Sequence, residues 1–364
     1  MANIMSVLLE LVKPSGLWPK LFDWFASFAT NYGWTIVLFT IAVKLLVSPL
    51  DFYNRYSTRK NTLIQKRLSG QVQKINLKYQ NNKEEANRQV ASLYKKEGYN
   101  MIGSCVFMLL NMVITLVVFF SFFNSLRAIS CYKMLDQYTI LEQTYNQTEG
   151  TVEEKEAKTL EKYLEYEDKN SWLWVKNIWR NDAKVSSIPS LADLKKVANS
   201  SGNKSYKEFV TTIDETEYNA VINSLKSKES NWNGYYILAI IVTLTTFLSQ
   251  FLSEKMNNSK TKQQNNEDPT QKTMQIMKIV MPLIMLIFVL TNTASFGIYI
   301  LVGNIFSILI NILFNFFVKK LTQNEEEKYL AYIEKEAIHN KKQQQKPHMV
   351  TYKKLGDRLW TQLK

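Results

Sequence analysis

The chain is poor in the residues that usually carry chemistry. Its 364 residues include two cysteines and two histidines. Cys105 and Cys131 have no metal-ligand spacing, and their positions do not fix whether they pair. His339 and His348 both fall in a hydrophilic C-terminal stretch. Phosphate-cradling glycine loops, zinc spacings and Ser/His/Asp arrangements are absent, so the chain carries no enzyme signature and no cofactor is expected. Residues 1–16 lack a basic-then-apolar segment with a small-residue cleavage site, so no removable leader is expected. No cysteine near the N-terminus could carry a lipid anchor. One further absence bears on function. Five long apolar runs, 34–50, 102–123, 235–253, 276–292 and 295–318, contain no Asp, Glu or His. A proton- or cation-coupled transporter usually needs an intramembrane carboxylate, and that class loses weight.

What the chain does have is apolar length. Each run approaches the ~17–25 residues that span ~30 Å of hydrocarbon. The mean hydropathy is mildly negative only because the intervening segments are charged. The expected fold is an all-α polytopic membrane protein with five transmembrane helices forming a hydrophilic groove and a cytoplasmic helical hairpin. The expected divisions are an N-terminal segment over 1–31, a first span over 32–50 and the hairpin over 51–100. A second span over 101–123, an extracellular loop with a helical insertion over 124–233 and a third span over 234–253 follow. The rest comprises a cytoplasmic loop over 254–275, spans over 276–292 and 294–318, and a basic tail over 319–364.

Orientation follows from charge. Residues 51–100 carry eleven Lys/Arg against four Asp/Glu, and the chain from Lys319 carries eleven against six. Residues 124–233 carry fifteen against seventeen. Basic loops stay in the cytoplasm, which puts the hairpin, the 254–275 loop and the C-terminus inside and the N-terminus outside. Before the first span, Trp18, Leu21, Phe22, Trp24, Phe25 and Phe28 recur at helical spacing. They read equally as a short interfacial helix or an aromatic belt anchor.

Within the hairpin region, Ile64, Leu68, Val72, Ile75 and Tyr79 form one apolar stripe, and Ala86, Val90, Leu93 and Tyr94 a second. Asn81-Asn82 is the turn between them and Gly98 the stop. Two helices of this size bury little apolar surface alone, so the hairpin is expected to move unless it packs on the membrane or a partner.

Lys44 is the only charge well inside an apolar run. A lysine at that depth costs roughly 2.5–3.5 kcal/mol on insertion scales, which points to a function or a partner. Thr40 and Ser48 lie one turn to either side, on the same helical face. Other runs carry polar stripes at helical spacing. They are Ser104, Asn111 and Thr115; Thr243, Thr246 and Gln250; and Asn304, Ser307, Asn311 and Asn315. Each stripe alone reads as ordinary interhelical hydrogen bonding. Together with Lys44 they favour a shared hydrophilic cavity. Lys44 can instead snorkel to the interface, roughly 9 Å away.

The ordered combination of several segments resembles the YidC/Oxa/Alb membrane-insertase family. The segments are Asn31-Tyr-Gly-Trp-Thr-Ile with Phe39 to Leu50, Leu93 to Asn100 with Gly103-Ser-Cys105, and Trp172-Leu-Trp174. Tyr235-Tyr-Ile-Leu238 running to Gln250, Met281-Pro282, and Tyr299 to Asn304 complete the match. The resemblance implies a five-span insertase whose groove opens to the cytoplasm and the lipid. Lys44 would stand where the family keeps a basic residue, more often arginine, and Thr40 would match a polar groove residue. The groove set is then Lys44, Thr40, Ser48, Asn111, Thr115, Thr246, Gln250, Tyr299 and Asn304. Implied partners are nascent membrane proteins, membrane lipids and the ribosome, met by a tail carrying Lys319, Lys320, Lys341, Lys342, Lys353 and Lys354. The Sec translocon is a further candidate partner.

The chain departs from the family pattern by lacking prolines. Met101, Phe107, Val113 and Ala239 stand at proline positions, and Thr293-Ala-Ser295 replaces a proline-containing turn. Ile300 occupies a position often aromatic. A straighter or narrower groove is expected. The Glu/Lys-rich stretch over 136–169 and an insertion around 182–233 are not explained by the resemblance and read as a solvated helical cap. A lipid scramblase or small-solute transporter using the same groove is the alternative function, and a non-catalytic assembly scaffold is a third.

Overall fold

A computed structural model describes residues 11–99, 101–230, 232–257 and 269–344. Among them the fold is all-helical, with one isolated antiparallel bridge between Trp172 and Val175 and no strand. Twelve helices follow in order: α1 Leu17–Ala26, α2 Tyr32–Lys78, α3 Lys83–Lys96, α4 Met101–Gln147, α5 Val152–Asn170 and α6 Leu191–Ser200. The others are α7 Lys204–Thr212, α8 Glu215–Asn223, α9 Ile237–Asn257, α10 Pro269–Thr291, α11 Ala294–Leu321 and α12 Gln323–Gln344.

Three of these helices, α2, α4 and α11, are long and apolar enough to cross a membrane. Ile237–Ser253 and Lys278–Thr291 form two shorter apolar helices. The long helices run further than the apolar sequence alone would carry them. Helix α2 continues through Pro49, and α4 continues to Gln147. A proline removes one N–H donor without stopping a helix whose later turns remain hydrogen-bonded.

The chain packs as two compact units. One comprises the chain up to Pro49 together with Met112–Leu313; the other comprises Leu50–Asn111 and the chain from Phe314 onward. The first has a continuous aromatic core. Phe39 and Phe122 stack at 4.5 Å, and Trp18 meets both edge-on at 5.9 Å. Helix α1 is anchored there: Phe22 is buried and the Trp18 indole N–H donates to Ser121 Oγ at 2.7 Å. Trp24 and Phe28, on its other side, are exposed.

The segment between α4 and α9 is folded rather than loose. Thr151 with Glu154 and Ser190 with Asp193 form capping boxes that start α5 and α6, satisfying first-turn amides. Asn203 and Asp214 cap α7 and α8. Leu194, Tyr206, Val221 and Leu225 are almost fully buried. Each such side chain removed from water is worth about 1.5–3 kcal/mol. Asp193 also pairs with Arg180. Burial pushes its pKa up, but the amide and hydroxyl of Ser190 and the Arg180 guanidinium hold it below the usual carboxylate range.

In the second unit, Leu63, Ile64 and Leu68 of α2 and Ala86 of α3 are buried, and Asn82 caps α3 by accepting from the Glu85 amide. The start of α12 adds polar contacts. Arg59 donates to Thr322 Oγ1 at 3.0 Å and pairs with Glu326 at 3.0 Å. Arg67 pairs with Glu97 at 2.8 Å and lies 3.6 Å from Glu325. The hairpin region therefore has a partner within its own chain.

Candidate functional site

Lys44 is half-buried in the first unit. Thr40, one turn earlier, is fully buried, and its hydroxyl donates to the Ile36 carbonyl at 2.6 Å. The lysine stem lies against the backbone of α11 at Gly303. A Cβ added there would stand 3.1 Å from Lys44 Cε, 3.7 Å from Nζ and 3.9 Å from Thr40 Cγ2. A methyl group there would press the lysine aside by a few tenths of an ångström, and a side chain larger than alanine's would occupy the space the lysine uses. Gly303 is thus a component of the site that sequence inspection passed over, since a glycine in an apolar helix carries no periodic signal.

One residue along, Asn304 joins α11 to α9. Its amide donates to Thr246 Oγ1 at 2.8 Å, to Thr245 Oγ1 at 3.2 Å and to the Val242 carbonyl at 3.4 Å. Thr246 in turn donates to the Val242 carbonyl at 2.7 Å. Thr246 and Asn304 are therefore brought together, and Thr245 is an unforeseen third member. Hydroxyls that bond back to their own helix keep acceptor capacity for a second donor, and the asparagine uses it here.

The remaining residues are spread more widely. Ser48 donates to the Leu45 carbonyl at 2.8 Å. Tyr299 is buried in the aromatic core, 4.8 Å from the Phe122 ring. Gln250 is half-buried and Thr115 exposed. Asn111 belongs to the second unit, and its Oδ1 accepts no hydrogen bond from the described residues; the same holds for Asn311 Oδ1 in the first unit. Lys319 and Lys320 sit exposed near the end of α11. Lys353 and Lys354, and the side chains of Ser104, Lys341 and Lys342, lie outside the described residues.

A second constellation, a strap over residues 172–182, is bonded to the ends of the apolar helices, and only its Trp172 and Trp174 stood out in the sequence. The Ile178 and Arg180 carbonyls accept from the Ser295 and Ala294 amides, both at 2.7 Å, at the beginning of α11. Asp182 is buried and accepts from the amides of Tyr235 at 2.9 Å and Leu238 at 2.6 Å, at the beginning of α9. Gly234 makes room for that carboxylate, since a Cβ there would overlap Asp182 Oδ1. Asn181 donates to the Leu290 carbonyl at the end of α10. Asn233 fastens the strap by donating to the Asn177 and Asn181 carbonyls. First-turn amides have no partner within their own helix, and here a distant stretch of chain supplies it.

An all-helical fold with three long apolar helices and two shorter ones defines a helical membrane protein. The sequence profile of the 60Kd inner membrane protein family matches residues 24–323. The chain belongs to that family, the YidC/Oxa family. Its relatives include the membrane protein insertase YidC of Wolinella succinogenes, 30% identical over 129 residues, or 33% of this chain and 23% of that protein. YidC of Parabacteroides distasonis is 38% identical over 107 residues, 29% of this chain and 16% of the relative. YidC of Oleidesulfovibrio alaskensis is 36% identical over 118 residues, 32% and 20% respectively. The chain spans less than a quarter of the length of these curated relatives.

Proposed function

We propose that the chain is a membrane protein insertase and chaperone, acting without nucleotide hydrolysis. The carrying observation is Lys44, set against Gly303 beside the buried Thr40 within otherwise apolar helices. In this reading five spans cross a bacterial plasma membrane, with the N-terminus outside and the C-terminus in the cytoplasm. They enclose a groove open to the cytoplasm and the lipid, to which Lys44, Thr40, Ser48, Asn111, Thr115, Thr246, Gln250, Tyr299 and Asn304 contribute. The groove lowers the cost of moving a client's short hydrophilic end across the bilayer by letting its polar groups meet hydroxyls, amides and one ammonium partway. Lys44 attracts acidic residues of the client, and the client's apolar helix then leaves sideways into lipid. The hairpin meets the client first, and the basic tail binds the ribosome, whose RNA is a polyanion.

The test is site-specific photocrosslinking from position 44 to a ribosome-bound nascent membrane protein, combined with an insertion assay. Lys44→Arg is expected to retain insertion, whereas Lys44→Ala and Lys44→Glu reduce it for clients with acidic ends. Undiminished insertion by Lys44→Glu would remove the electrostatic step.

A further inference from the structure

Three cations gather in the first unit far along the chain from Lys44. A cavity of about 380 Å³ is lined by Arg127 of α4, Arg180 of the 172–182 strap and Lys196 of α6. That volume falls within the ~300–1,000 Å³ of small-molecule sites. Asp193 is the one carboxylate among the lining residues. Its Oδ2 is already taken by the Ser190 amide at 3.0 Å, the Ser190 hydroxyl at 2.9 Å and Arg180 Nη2 at 2.9 Å. Neither Arg127 nor Lys196 has a carboxylate at ion-pair distance among the described residues; Arg127 lies over the Phe123 ring, 5.3 Å from its centre. Arg180 is 92% buried by its 8% exposure, yet its Nη1 has no acceptor among the described residues. A buried guanidinium nitrogen left without an acceptor is costly, and an oxyanion is the group that relieves it.

The lining also has an apolar part: Phe123, Leu126 and Phe296 come from α4 and α11, two of the helices long and apolar enough to cross a membrane. A ligand that suits both parts of the lining has an oxyanion at one end and hydrocarbon at the other. We infer that this cavity binds the headgroup phosphate of an anionic phospholipid, with Arg127, Arg180 and Lys196 facing the phosphate. The inference rests on the membrane placement proposed above, which puts the cavity at the outer surface, but not on the groove. A lipid seated there ties α4 and α11 to the strap and α6, and so couples the folded segment after α4 to the bilayer.

The experiment uses the purified full chain in a neutral detergent, read by native mass spectrometry. Separate arms contain phosphatidylglycerol, phosphatidylcholine, inorganic phosphate and a tetraglutamate peptide. One phosphatidylglycerol per chain is expected to be retained in preference to phosphatidylcholine. The Arg127→Gln/Lys196→Gln variant should weaken that retention roughly tenfold or more, the loss expected for charge-assisted hydrogen bonds. Both residues are exposed, so the fold should survive, which circular dichroism checks. Arg180 is kept because it holds Asp193, and Lys196→Glu alone provides a second variant. Equal retention of the two lipids, or retention unmoved by both variants, overturns the proposal. Displacement by inorganic phosphate at equal concentration makes the site one for a free oxyanion, and displacement by the peptide makes it a protein-binding site; either result overturns the lipid. Lys44→Glu should retain phosphatidylglycerol as the parent does, so failure of the insertion reading and failure of this one are separable.

Discussion

Replacing Asp182 by alanine tests whether the strap holds the apolar helices in place. Its buried carboxylate accepts from two backbone amides, of Tyr235 and Leu238, at the start of α9. Alanine leaves both amides without this acceptor, the Leu238 amide in a buried setting and the Tyr235 amide in a partly exposed one. An unsatisfied buried amide costs about 1–3 kcal/mol, and the Tyr235 amide, which water can reach, adds less. Loss of the negative charge at a helix N-terminus adds roughly 0.3–1 kcal/mol. Asp182→Asn keeps one acceptor oxygen and should lose about half as much. Gly234→Ala should resemble Asp182→Ala, because its Cβ displaces the carboxylate without removing it. The assay is thermal unfolding of the detergent-purified chain followed by tryptophan fluorescence, with limited proteolysis around 172–182 reporting release of the strap. A loss of 2 kcal/mol would lower Tm by roughly 4–8 °C for a domain of this size. Unchanged melting and protease resistance in both Asp182→Ala and Gly234→Ala would refute the reasoning, since the contact would then carry no load.

Two further outcomes are expected. At Gly303, alanine asks Lys44 to yield only a few tenths of an ångström and favours the helix by about 1 kcal/mol, so insertion should stay near that of the parent. Leucine there displaces the lysine, and its insertion defect should match that of Lys44→Ala; a Gly303→Leu protein as active as the parent would make the contact incidental. In the second unit, Arg67→Gln removes the pairs with Glu97 and Glu325 and should speed amide hydrogen exchange at the start of α12, leaving the first unit unaffected. Unaltered exchange there would mean that buried apolar side chains, not charges, seat α12.

The helical character and the apolar runs were legible because both follow from local pattern: a stretch of Leu, Ile, Val and Phe with no breaker can hide its backbone polarity only as a helix. Lys44 was legible for the same reason, as a charge among apolar neighbours. Its seat was not, because Gly303 reaches it through tertiary packing and leaves no mark on the periodicity of α11. The Thr246–Asn304 bond was half legible: both residues stood on polar stripes, but nothing local says which stripe faces which. The core of the segment after α4 was not legible for a different reason. Its helices are short and highly charged, and their apolar residues become a core only when α6, α7 and α8 meet. The strap was least legible of all, since its asparagines and Asp182 look like ordinary loop residues until their distant amide partners are known.

The strap also imposes an order on the making of the protein itself. Asp182 waits for an amide that emerges 56 residues later, and Asn181 for a carbonyl 109 residues later. Until α9, α10 and α11 have been synthesised, the carboxylate of Asp182, the amide of Asn181 and the carbonyls of Ile178 and Arg180 lack the partners they hold in the finished fold. The last apolar helices are thereby tied, at the starts of α9 and α11 and the end of α10, to a segment made before any of them.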